Sequence, residues 1–363
     1  MLYTKQPEPA IIISRLLKTV SSDLPMTHEI QLLFQTLKSW QKIGRKAVFI
    51  SVVALEGSSY RRPGVCMIMS QDGEMVGAVS GGCVETEIER QAQRVFQTGK
   101  AKVIVYDGRF RIGCEGIIHI LIEPVLLSDE LFSVFEKQVE DRQSFRMEAW
   151  FYREVGEYGD IGTKVVLNGK NYSLHPGFTP DKITHQECFS QTLKPLFQLY
   201  IFGAEHDAVQ LCQAAKLLGW KVTVVASPDE SKSCEYFPGV HSLISPTFDT
   251  IDTSQIDGQT AVVLMTHSFN KDVQYLMALK NTQPAYLGLL GSNNRRERVL
   301  SMLLDYMPDI STDFLEQIHG PAGISIGAES ASEIAVSILA EILSVIRHQN
   351  PISLSEKIGA IHG

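Results

Sequence analysis

Apolar side chains recur at two different periods along the chain, and these periods predict where helices and strands lie. From His28 to Ile43 the apolar residues follow helical spacing, which predicts one helix. A strand over Ala47–Leu55 follows. Asp72-Gly73 is a hairpin signal that joins predicted strands at Val65–Met69 and Met75–Val79. The N-terminal part of the chain is therefore predicted to be a helix followed by antiparallel strands.

A glycine-rich turn comes next. Ser80-Gly81-Gly82-Cys83 opens a predicted helix over Val84–Gln97, which closes at a glycine. Two further predicted strands, Lys102–Tyr106 and Ile117–Ile122, flank a loop that contains Cys114. These elements together predict a compact α+β domain.

The pattern becomes regular again in the C-terminal half. A strand at Leu199–Phe202 runs into a turn at Gly203, a helix and a second strand at Lys221–Ala226, which is the opening βαβ unit of a doubly wound sheet. All-apolar runs at Ala261–Met265 and Tyr286–Leu290 fit parallel strands that are buried on both faces. This half is therefore predicted to be Rossmann-like.

The predicted fold class is α/β, with an N-terminal α+β domain and a C-terminal Rossmann-like, doubly wound parallel sheet. The last helix begins at a capping-box spacing, Ser330 to Glu333, and runs apolar to Ile346. We divide the chain into an N-terminal extension at 1–27, an α+β domain at 28–124, a connecting segment with small strands of its own at 125–194, a Rossmann-like domain at 196–346 and a C-terminal tail at 347–363.

Charge and hydropathy narrow the function classes. The formal net charge is −8 and the Lys and Arg residues are scattered, which argues against a nucleic-acid-binding protein. No apolar run approaches the roughly 20 residues that cross a bilayer. The apolar patch at Ile11–Ile13 is too short for a signal peptide. We therefore expect a soluble, cytoplasmic protein without nucleic-acid or membrane partners.

The cysteines predict free thiols rather than a metal or disulfide framework, because none of them forms a C-x-x-C pair. The six cysteines are Cys66, Cys83, Cys114, Cys188, Cys212 and Cys234.

Two of the cysteines lie in glycine-rich turns. Cys83 follows two glycines at a helix start, where N–H dipoles favour the thiolate, although Glu85 and Glu87 partly oppose this effect. Cys114 follows Gly113 in a loop whose backbone another molecule can approach closely. A reactive or ligating thiol and an inert, small apolar side chain both remain open for each.

The first turn of the Rossmann-like half departs from a dinucleotide fingerprint. Glu205 stands where a glycine lets the backbone approach a pyrophosphate. The acidic residue for the ribose hydroxyl is also missing, because the second strand ends at Ala226 and Asp229 comes too late. An NAD site and a plain tight turn both remain open.

Polar residues follow two later strands at the edge of the sheet where ligands of such folds collect. Thr266-His267 precedes Asp272, and a second group includes Ser292 and Arg295 at a helix start. A hydroxyl, a guanidinium and backbone N–H groups suit an anion such as a phosphate. The alternative is a solvated helix start.

Several motifs resemble the XdhC/CoxI family of accessory factors for xanthine dehydrogenase and related molybdenum hydroxylases. The resemblance covers residues 28–124 and 196–346. It rests on Gly57-Ser58-Ser59-Tyr60-Arg61-Arg62-Pro63-Gly64, Gly77-Ala78-Val79-Ser80-Gly81-Gly82-Cys83-Val84-Glu85, Phe202-Gly203-Ala204, His206-Asp207-Ala208, Thr266-His267, Gly288-Leu289-Leu290-Gly291-Ser292, Pro321-Ala322-Gly323, Ile326-Gly327-Ala328 and Ser337-Ile338-Leu339-Ala340-Glu341.

The resemblance implies a cytoplasmic homodimer that binds molybdenum cofactor and assists its sulfuration and its insertion into an apo molybdenum hydroxylase. It further implies a sulfur donor of the cysteine desulfurase type, and it favours a maturation chaperone over a catalyst. The cofactor-binding candidates are Arg61, Arg62, Ser80, Gly81, Gly82, Cys83, Gly113, Cys114, Gly203, His206, His267, Ser292 and Arg295.

The chain departs from the family pattern at three positions. Family members usually carry Gly in place of Glu205, Asp in place of Ala226 and Gly in place of Glu115. The first two departures weaken NAD(P) binding, and so they argue against the alternative function, an NAD(P)-dependent oxidoreductase that the Rossmann unit alone suggests. A sulfur-transfer enzyme that uses Cys83 is a third hypothesis.

Overall fold

The computed structural model describes residues 17–19, 27–57, 62–80, 82, 84–108, 116–179 and 186–356, with the backbone alone for residues 17–19. The chain divides into two compact units, Met1–Pro195 and Leu196–Gly363.

The first unit contains three helices and eleven strands among its described residues. The helices are α1 (Thr27–Lys42), α2 (Glu85–Thr98) and α3 (Asp129–Glu140). The strands are β1 (Leu17–Thr19), β2 (Ala47–Glu56), β3 (Cys66–Ser70), β4 (Met75–Gly77), β5 (Ala101–Asp107), β6 (Ile117–Val125), β7 (Phe145–Phe151), β8 (Gly156–Tyr158), β9 (Gly162–Leu167), β10 (Lys170–Ser173) and β11 (Glu187–Leu193). The helices and strands predicted between residues 28 and 124 are all present, with small shifts at their ends.

Helix α1 buries one apolar face and exposes one of its leucines. Ile30, Leu33, Phe34 and Leu37 are buried at the spacing of a single helix face. Leu32, another apolar residue of this helix, is 55% exposed. Successive residues of a helix are rotated by about 100°, so Leu32 lies about 200° from both Ile30 and Phe34 and points away from the buried face.

Two sheets form the core of the first unit. One has the order β4-β3-β2-β6-β5-β8 with antiparallel neighbours, and the other has the order β1-β11-β7-β9-β10. The segment at 125–194, predicted to connect the domains through small strands, supplies β7 and β9 to β11 of the second sheet and β8 of the first. Leu121, Phe151 and Phe189 belong to one buried cluster to which both sheets contribute. This stretch is therefore part of the packed core of the first unit.

The second unit is a doubly wound parallel sheet, which confirms the predicted fold class. Its elements are β12 (Gln198–Phe202), α4 (His206–Leu217), β13 (Lys221–Val225), β14 (Ser242–Ile244), β15 (Thr260–Leu264), α5 (Phe269–Leu279), β16 (Tyr286–Leu289), α6 (Asn293–Tyr306), α7 (Thr312–Glu316), β17 (Ile318–His319) and α8 (Ala331–Ile346), with single 3-10 turns at Cys234–Tyr236 and Leu354–Glu356. The strands have the order β14-β13-β12-β15-β16-β17, which in chain order within the unit is 3-2-1-4-5-6, the Rossmann arrangement.

Alternate residues of the central strand pack on opposite helical layers. Leu199 and Ile201 belong to the apolar cluster that includes α4 and α8, whereas Tyr200 and Phe202 belong to the cluster that includes α5 and α6. The predicted capping box at the start of α8 is present, since the Ser330 hydroxyl accepts from the Glu333 N–H at 3.3 Å and the Glu333 carboxylate accepts from the Ser330 N–H at 2.9 Å. Such a cap contributes about 1 kcal/mol to helix stability.

Candidate functional site

The glycine-rich segments of the first unit all leave its six-stranded sheet at one edge. The strands of that sheet alternate in direction, so β2, β4 and β5 end at the edge where β3 and β6 begin. The chain therefore enters and leaves the segments at 57–65, 78–84 and 108–116 on this side. A hydrogen bond of 3.0 Å from the Gly108 N–H to the Gly116 carbonyl closes the base of the third segment. We call this side of the sheet the loop edge.

Glu85 organises the start of α2 at the loop edge. Its carboxylate accepts from the backbone N–H groups of Ser80 at 2.9 Å and Gly82 at 3.1 Å, and from the Ser80 hydroxyl. Partial burial alone would raise the pKa of Glu85, but these hydrogen bonds outweigh it and lower the pKa. Gly82 has a φ of 111°, which favours glycine. Two N–H groups next to the predicted thiolate are thus already bound to a carboxylate.

Gly64 is held against the second sheet, and Arg62 lies two residues before it in the chain. Gly64 has a φ of 101°, and a Cβ there would lie 2.3 Å from the Gln191 Oε1 atom. The Gly64 carbonyl accepts from the Cys66 thiol at 3.1 Å and the Gln191 amide at 3.4 Å. Within the described part of the chain, no carboxylate pairs with the half-buried Arg62 guanidinium. Arg62 is therefore a partly desolvated cation that can bind an anionic group.

His119 lies below the loop edge and is a candidate that the sequence analysis missed. Its side chain is buried, and neither ring nitrogen has a hydrogen-bond partner among the described residues. The nearest charged group is the Glu56 carboxylate, 3.3 Å from the His119 Nε2 atom, and Arg153 donates to the same carboxylate at 2.7 Å. Its signal in the sequence was a single histidine inside the apolar run Ile117–Ile122. A buried imidazole without partners calls for an explanation, and a ligand or a bound water at the loop edge supplies one.

Five of the predicted site residues lie outside the described residues. They are Arg61, Gly81, Cys83, Gly113 and Cys114.

The described cysteines differ in accessibility. Cys212 is buried, and burial raises the pKa of its thiol to about 11, with Lys216 opposing. Burial, helped by the Glu148 carboxylate, raises the pKa of Cys188 to about 12, and burial also raises the pKa of Cys66. Cys234 is exposed. Among the described residues no group of three or more His, Cys, Asp or Glu side chains is placed to hold a metal ion.

The second candidate region is the point in the Rossmann sheet where the strand order reverses, between β12 and β15. Gly203 follows β12 with a φ of 123°, and a Cβ there would lie 2.4 Å from the Met265 carbonyl oxygen. The Met265 N–H donates to the Phe202 carbonyl at 2.8 Å. Gly203 is thus required by the close approach of the two strand ends, which open the crevice where ligands of this fold bind.

His267, one of the predicted crevice residues, contacts Asp207 in the first turn of α4. His267 follows β15 with a φ of 55°, a left-handed conformation that is uncommon for a residue other than glycine. Its Nε2 atom lies 3.5 Å from the Asp207 carboxylate, and Asp207 follows the exposed His206 at the start of α4. The structure therefore brings His267 to the start of α4, where His206 is the first helical residue.

Lys232 covers the first turn of the Rossmann sheet. It donates to the Ala204 carbonyl, lies 3.5 Å from the Glu205 carboxylate, and packs over the Tyr236 ring at 5.0 Å. Its side chain is 19% exposed. Glu205 was predicted from the sequence to obstruct a pyrophosphate. Lys232 was not, because its contact with Glu205 joins residues that are 27 positions apart in the chain. Ala226 is buried and has no side-chain acceptor for a ribose.

Ser292 caps the start of α6, and Arg295 lies in its first turn. The Ser292 hydroxyl accepts from the Arg295 N–H at 3.3 Å as a helix cap. The Arg295 guanidinium donates to the fully buried Asp272 carboxylate at 2.5 Å and lies over the Phe269 ring at 4.4 Å. The Thr266 hydroxyl donates to the same carboxylate at 2.6 Å. The structure thus brings Arg295 to the end of β15, with one of its donors already bound inside the protein.

Two family models match the chain. The model described as the XdhC Rossmann domain matches residues 199–342, and the model described as the XdhC and CoxI family matches residues 40–107. Between them they cover regions of both units.

Named relatives and a solved structure agree with these matches. The chain is 29% identical to a protein of Bacillus subtilis that is named as a probable subunit of xanthine dehydrogenase, over 82% of this chain and 92% of that protein. It is 27% identical to "Molybdenum cofactor insertion chaperone PaoD" of Escherichia coli, over 84% of this chain and 85% of that protein. A crystal structure of a xanthine dehydrogenase from Bacillus halodurans is similar with a TM-score of 0.71 and 27% identity, over 88% of this chain and 97% of that chain. In the described part of the chain, no helix is long and apolar enough to cross a membrane.

Proposed function

Because the chain belongs to the XdhC and CoxI family, we propose that it binds molybdenum cofactor and assists its sulfuration and its insertion into a xanthine-dehydrogenase-type molybdenum hydroxylase. Two relatives are named as a cofactor insertion chaperone and as part of a xanthine dehydrogenase, and these names support a role in maturation. The observation that carries the proposal is the loop edge. There Arg62 and the buried His119, neither of which has a hydrogen-bonding partner among the described residues, lie beside the glycine-rich segments.

The residues at the loop edge fit a polar, anionic cofactor. Arg62 would pair with an anionic group, and the glycines at positions 81, 82 and 113 would let the backbone come close to the ligand. Cys83 and Cys114 would contact the cofactor as thiolates, and Ser80 would keep the turn before Cys83 in place through Glu85. The bound cofactor would supply the molybdenum that the client enzyme needs, and this chain would hold it and exclude water.

We propose the crevice of the Rossmann unit as a separate candidate binding region. The proposed residues there are Gly203, His206, His267, Ser292 and Arg295. His267 is half-exposed and has only the Asp207 carboxylate as a charged neighbour among the described residues, so its ring can reorient toward a ligand. NAD(P)-dependent oxidation is the weaker proposal, since Lys232 and Glu205 together occupy the turn that a pyrophosphate would need.

The proposed partners follow from this role. They are an apo molybdenum hydroxylase, a sulfur donor of the cysteine desulfurase type, and a second copy of the chain in a homodimer. We place the protein in the cytoplasm, where cofactor assembly and insertion would take place before the client enzyme is complete.

Cofactor retention tests the proposal at Arg62. The full chain is purified from a molybdate-fed host, and its molybdenum content and pterin fluorescence are measured. Arg62→Ala should lower both by about tenfold, the effect of removing one charge-assisted hydrogen bond of about 1.5–3 kcal/mol. Arg90→Ala is the matched control, because Arg90 is exposed on α2 and pairs with Glu87. Equal cofactor content in the two variants would contradict the role of Arg62, and its absence from the unaltered chain would contradict the proposed function.

Alkylation tests the cysteines. Brief treatment near neutral pH, followed by peptide mass spectrometry, should label Cys83 first, Cys114 next and the buried Cys212 hardly at all. The exposed Cys234 is the internal reference for an accessible thiol. Bound cofactor should protect Cys83 and leave Cys234 reactive. If Cys83 reacts as slowly as Cys212, or equally fast with cofactor bound, it is a structural residue of a tight turn.

A further inference from the structure

A wide groove in the first unit lies apart from the loop edge. It has a volume of about 930 Å³ and is bordered by the turn between α3 and β7 and by the hairpin between β9 and β10. Strand β7 begins at Phe145, beside the groove, and ends near Arg153, which donates to Glu56 at the loop edge. The groove therefore lies at the opposite end of β7 from the loop edge. Volumes of roughly 300–1,000 Å³ are typical of sites for small molecules.

The groove is positively charged in a protein whose formal net charge is −8. Arg142, Arg146 and Lys164 line it, and no acidic side chain is among its described lining residues. The nearly buried Glu148 carboxylate behind them accepts from Arg146 at 2.6 Å and pairs with Lys164 at 2.9 Å. One carboxylate against two of these cations leaves the local charge positive. An anion is therefore the complementary ligand.

Gln138 provides an independent sign of a ligand. Its side chain is 4% exposed and lines the groove. The amide nitrogen donates to the Ser144 carbonyl at 2.8 Å and so secures the turn after α3, whereas the Oε1 atom is buried without any hydrogen-bond partner among the described residues. A buried acceptor without a donor costs about 1–3 kcal/mol. A ligand that brings an O–H or N–H group would remove this cost.

Polar amides at the opposite wall match the same kind of ligand. Asn168 and Asn171 line the groove from the β9–β10 hairpin. Asn168 and Gly169 have φ values of 49° and 76°, as a two-residue hairpin turn requires. This wall is thus shaped by the hairpin itself and is present without a ligand. It offers both donors and acceptors to the neutral part of a bound molecule.

We propose that this groove binds a phosphate ester of nucleotide size, with the phosphate at Arg146 and Lys164 and a hydroxyl or amino group of the ligand at the Gln138 Oε1 atom. The charge accounts for the phosphate, the orphan acceptor requires a donor on the ligand, and the volume exceeds what an inorganic anion would fill. The site is separate from the proposed cofactor site and does not depend on it.

Calorimetric titration of the full chain with AMP, inorganic phosphate and a hexaglutamate peptide tests the proposal. We expect AMP to bind with a Kd of roughly 0.1 mM and phosphate to bind at least about tenfold more weakly. Equal affinity for AMP and phosphate would show an anion site of no particular size and would overturn the proposal. Binding of the peptide without binding of AMP would overturn it as well.

Variants locate the site. Arg146→Gln should weaken AMP binding by about tenfold, and Gln138→Met should weaken it by about threefold or more. Lys170→Gln is the matched control and should leave AMP binding unchanged, because Lys170 is exposed and pairs with Glu130 outside the groove. Unchanged AMP affinity in Arg146→Gln would assign the nucleotide to the Rossmann unit and refute the groove site. Circular dichroism verifies that each variant is folded. The cofactor content of Arg146→Gln should equal that of the unaltered chain, which separates this test from that of the proposed function.

Discussion

The pairing of Arg295 with Asp272 predicts that a residue proposed to bind ligand is also needed for the fold. Asp272 is fully buried, and Arg295 supplies its only cationic neighbour among the described residues. Removing one partner of a buried ion pair costs about 3–5 kcal/mol, because the other charge is left uncompensated. The Thr266 hydroxyl still donates to Asp272 in Arg295→Ala, and Arg295 is 18% exposed, so we expect the lower end of that range, about 3 kcal/mol.

Thermal and chemical denaturation measure this loss. For a domain of this size about 3 kcal/mol corresponds to a fall in Tm of about 6–12 °C. Arg298→Ala is the control, since Arg298 is exposed on the same helix, and it should change stability by less than about 0.5 kcal/mol. Adding Asp272→Asn to Arg295→Ala should restore roughly half of the loss, because a neutral amide removes the unpaired charge and keeps its shape.

Two outcomes would refute this reasoning. An unchanged unfolding midpoint in Arg295→Ala would mean that Asp272 does not need its partner. A further fall in stability on adding Asp272→Asn would mean that the carboxylate is satisfied by Thr266 alone. If stability is unchanged while cofactor affinity falls, Arg295 serves the ligand rather than the fold.

Two further predictions concern the first Rossmann turn and a buried carboxylate. NAD(H) and NADP(H) should bind the unaltered chain with a Kd of roughly 0.1 mM or weaker, and low-micromolar binding by calorimetry would contradict this. Glu205→Gly should strengthen binding, because it removes one of the two carboxylates beside Lys232 and leaves Glu230 at 3.8 Å. Adding Lys232→Met to Glu205→Gly should weaken binding again. Burial, opposed by a hydrogen bond from the Thr163 backbone N–H, raises the pKa of Glu123 to about 7 from 4.5. Between pH 4.5 and 7, Glu123 keeps its proton in the folded chain and loses it in the unfolded chain. The free energy of unfolding should therefore fall by roughly 3 kcal/mol as the pH rises across this range. Glu123→Gln should flatten this dependence in urea titrations at both ends of the window, and an equally steep slope in the variant would contradict the assignment.

Periodicity predicted the longer elements of this protein well, because each shows its own pattern. The parallel strands of the second unit, for example β15, are continuous apolar runs with both faces buried. The role of residues 125–194 was harder to predict, since β7 and β11 pair with each other across more than thirty intervening residues. Short strands that are completed by distant partners carry a weak local signal.

The partners of charged side chains could not be predicted for a similar reason. In the sequence, Arg62 and Arg295 are equally good candidates for binding an anion, because each lies in or next to a glycine-bearing segment that resembles a family motif. The difference between them depends on Asp272, which is 23 positions from Arg295 in the chain and pairs with it only after folding. Lys232 and Glu205 are likewise distant in the chain and form an ion pair only after folding. His119 was the exception, because a lone polar residue in an apolar strand is visible in the sequence.

The two candidate regions differ in how much charge is left for a ligand. At the Rossmann crevice Lys232 already pairs with Glu205, and Arg295 already pairs with Asp272. Each of these cations has at least one carboxylate of its own, so a ligand phosphate there gains less than it would beside cations that share a carboxylate or lack one. Arg62 at the loop edge has no such competitor in the described part of the chain, so an anion gains the full attraction. We therefore expect the loop edge, rather than the crevice, to be the main anion-binding region of the chain.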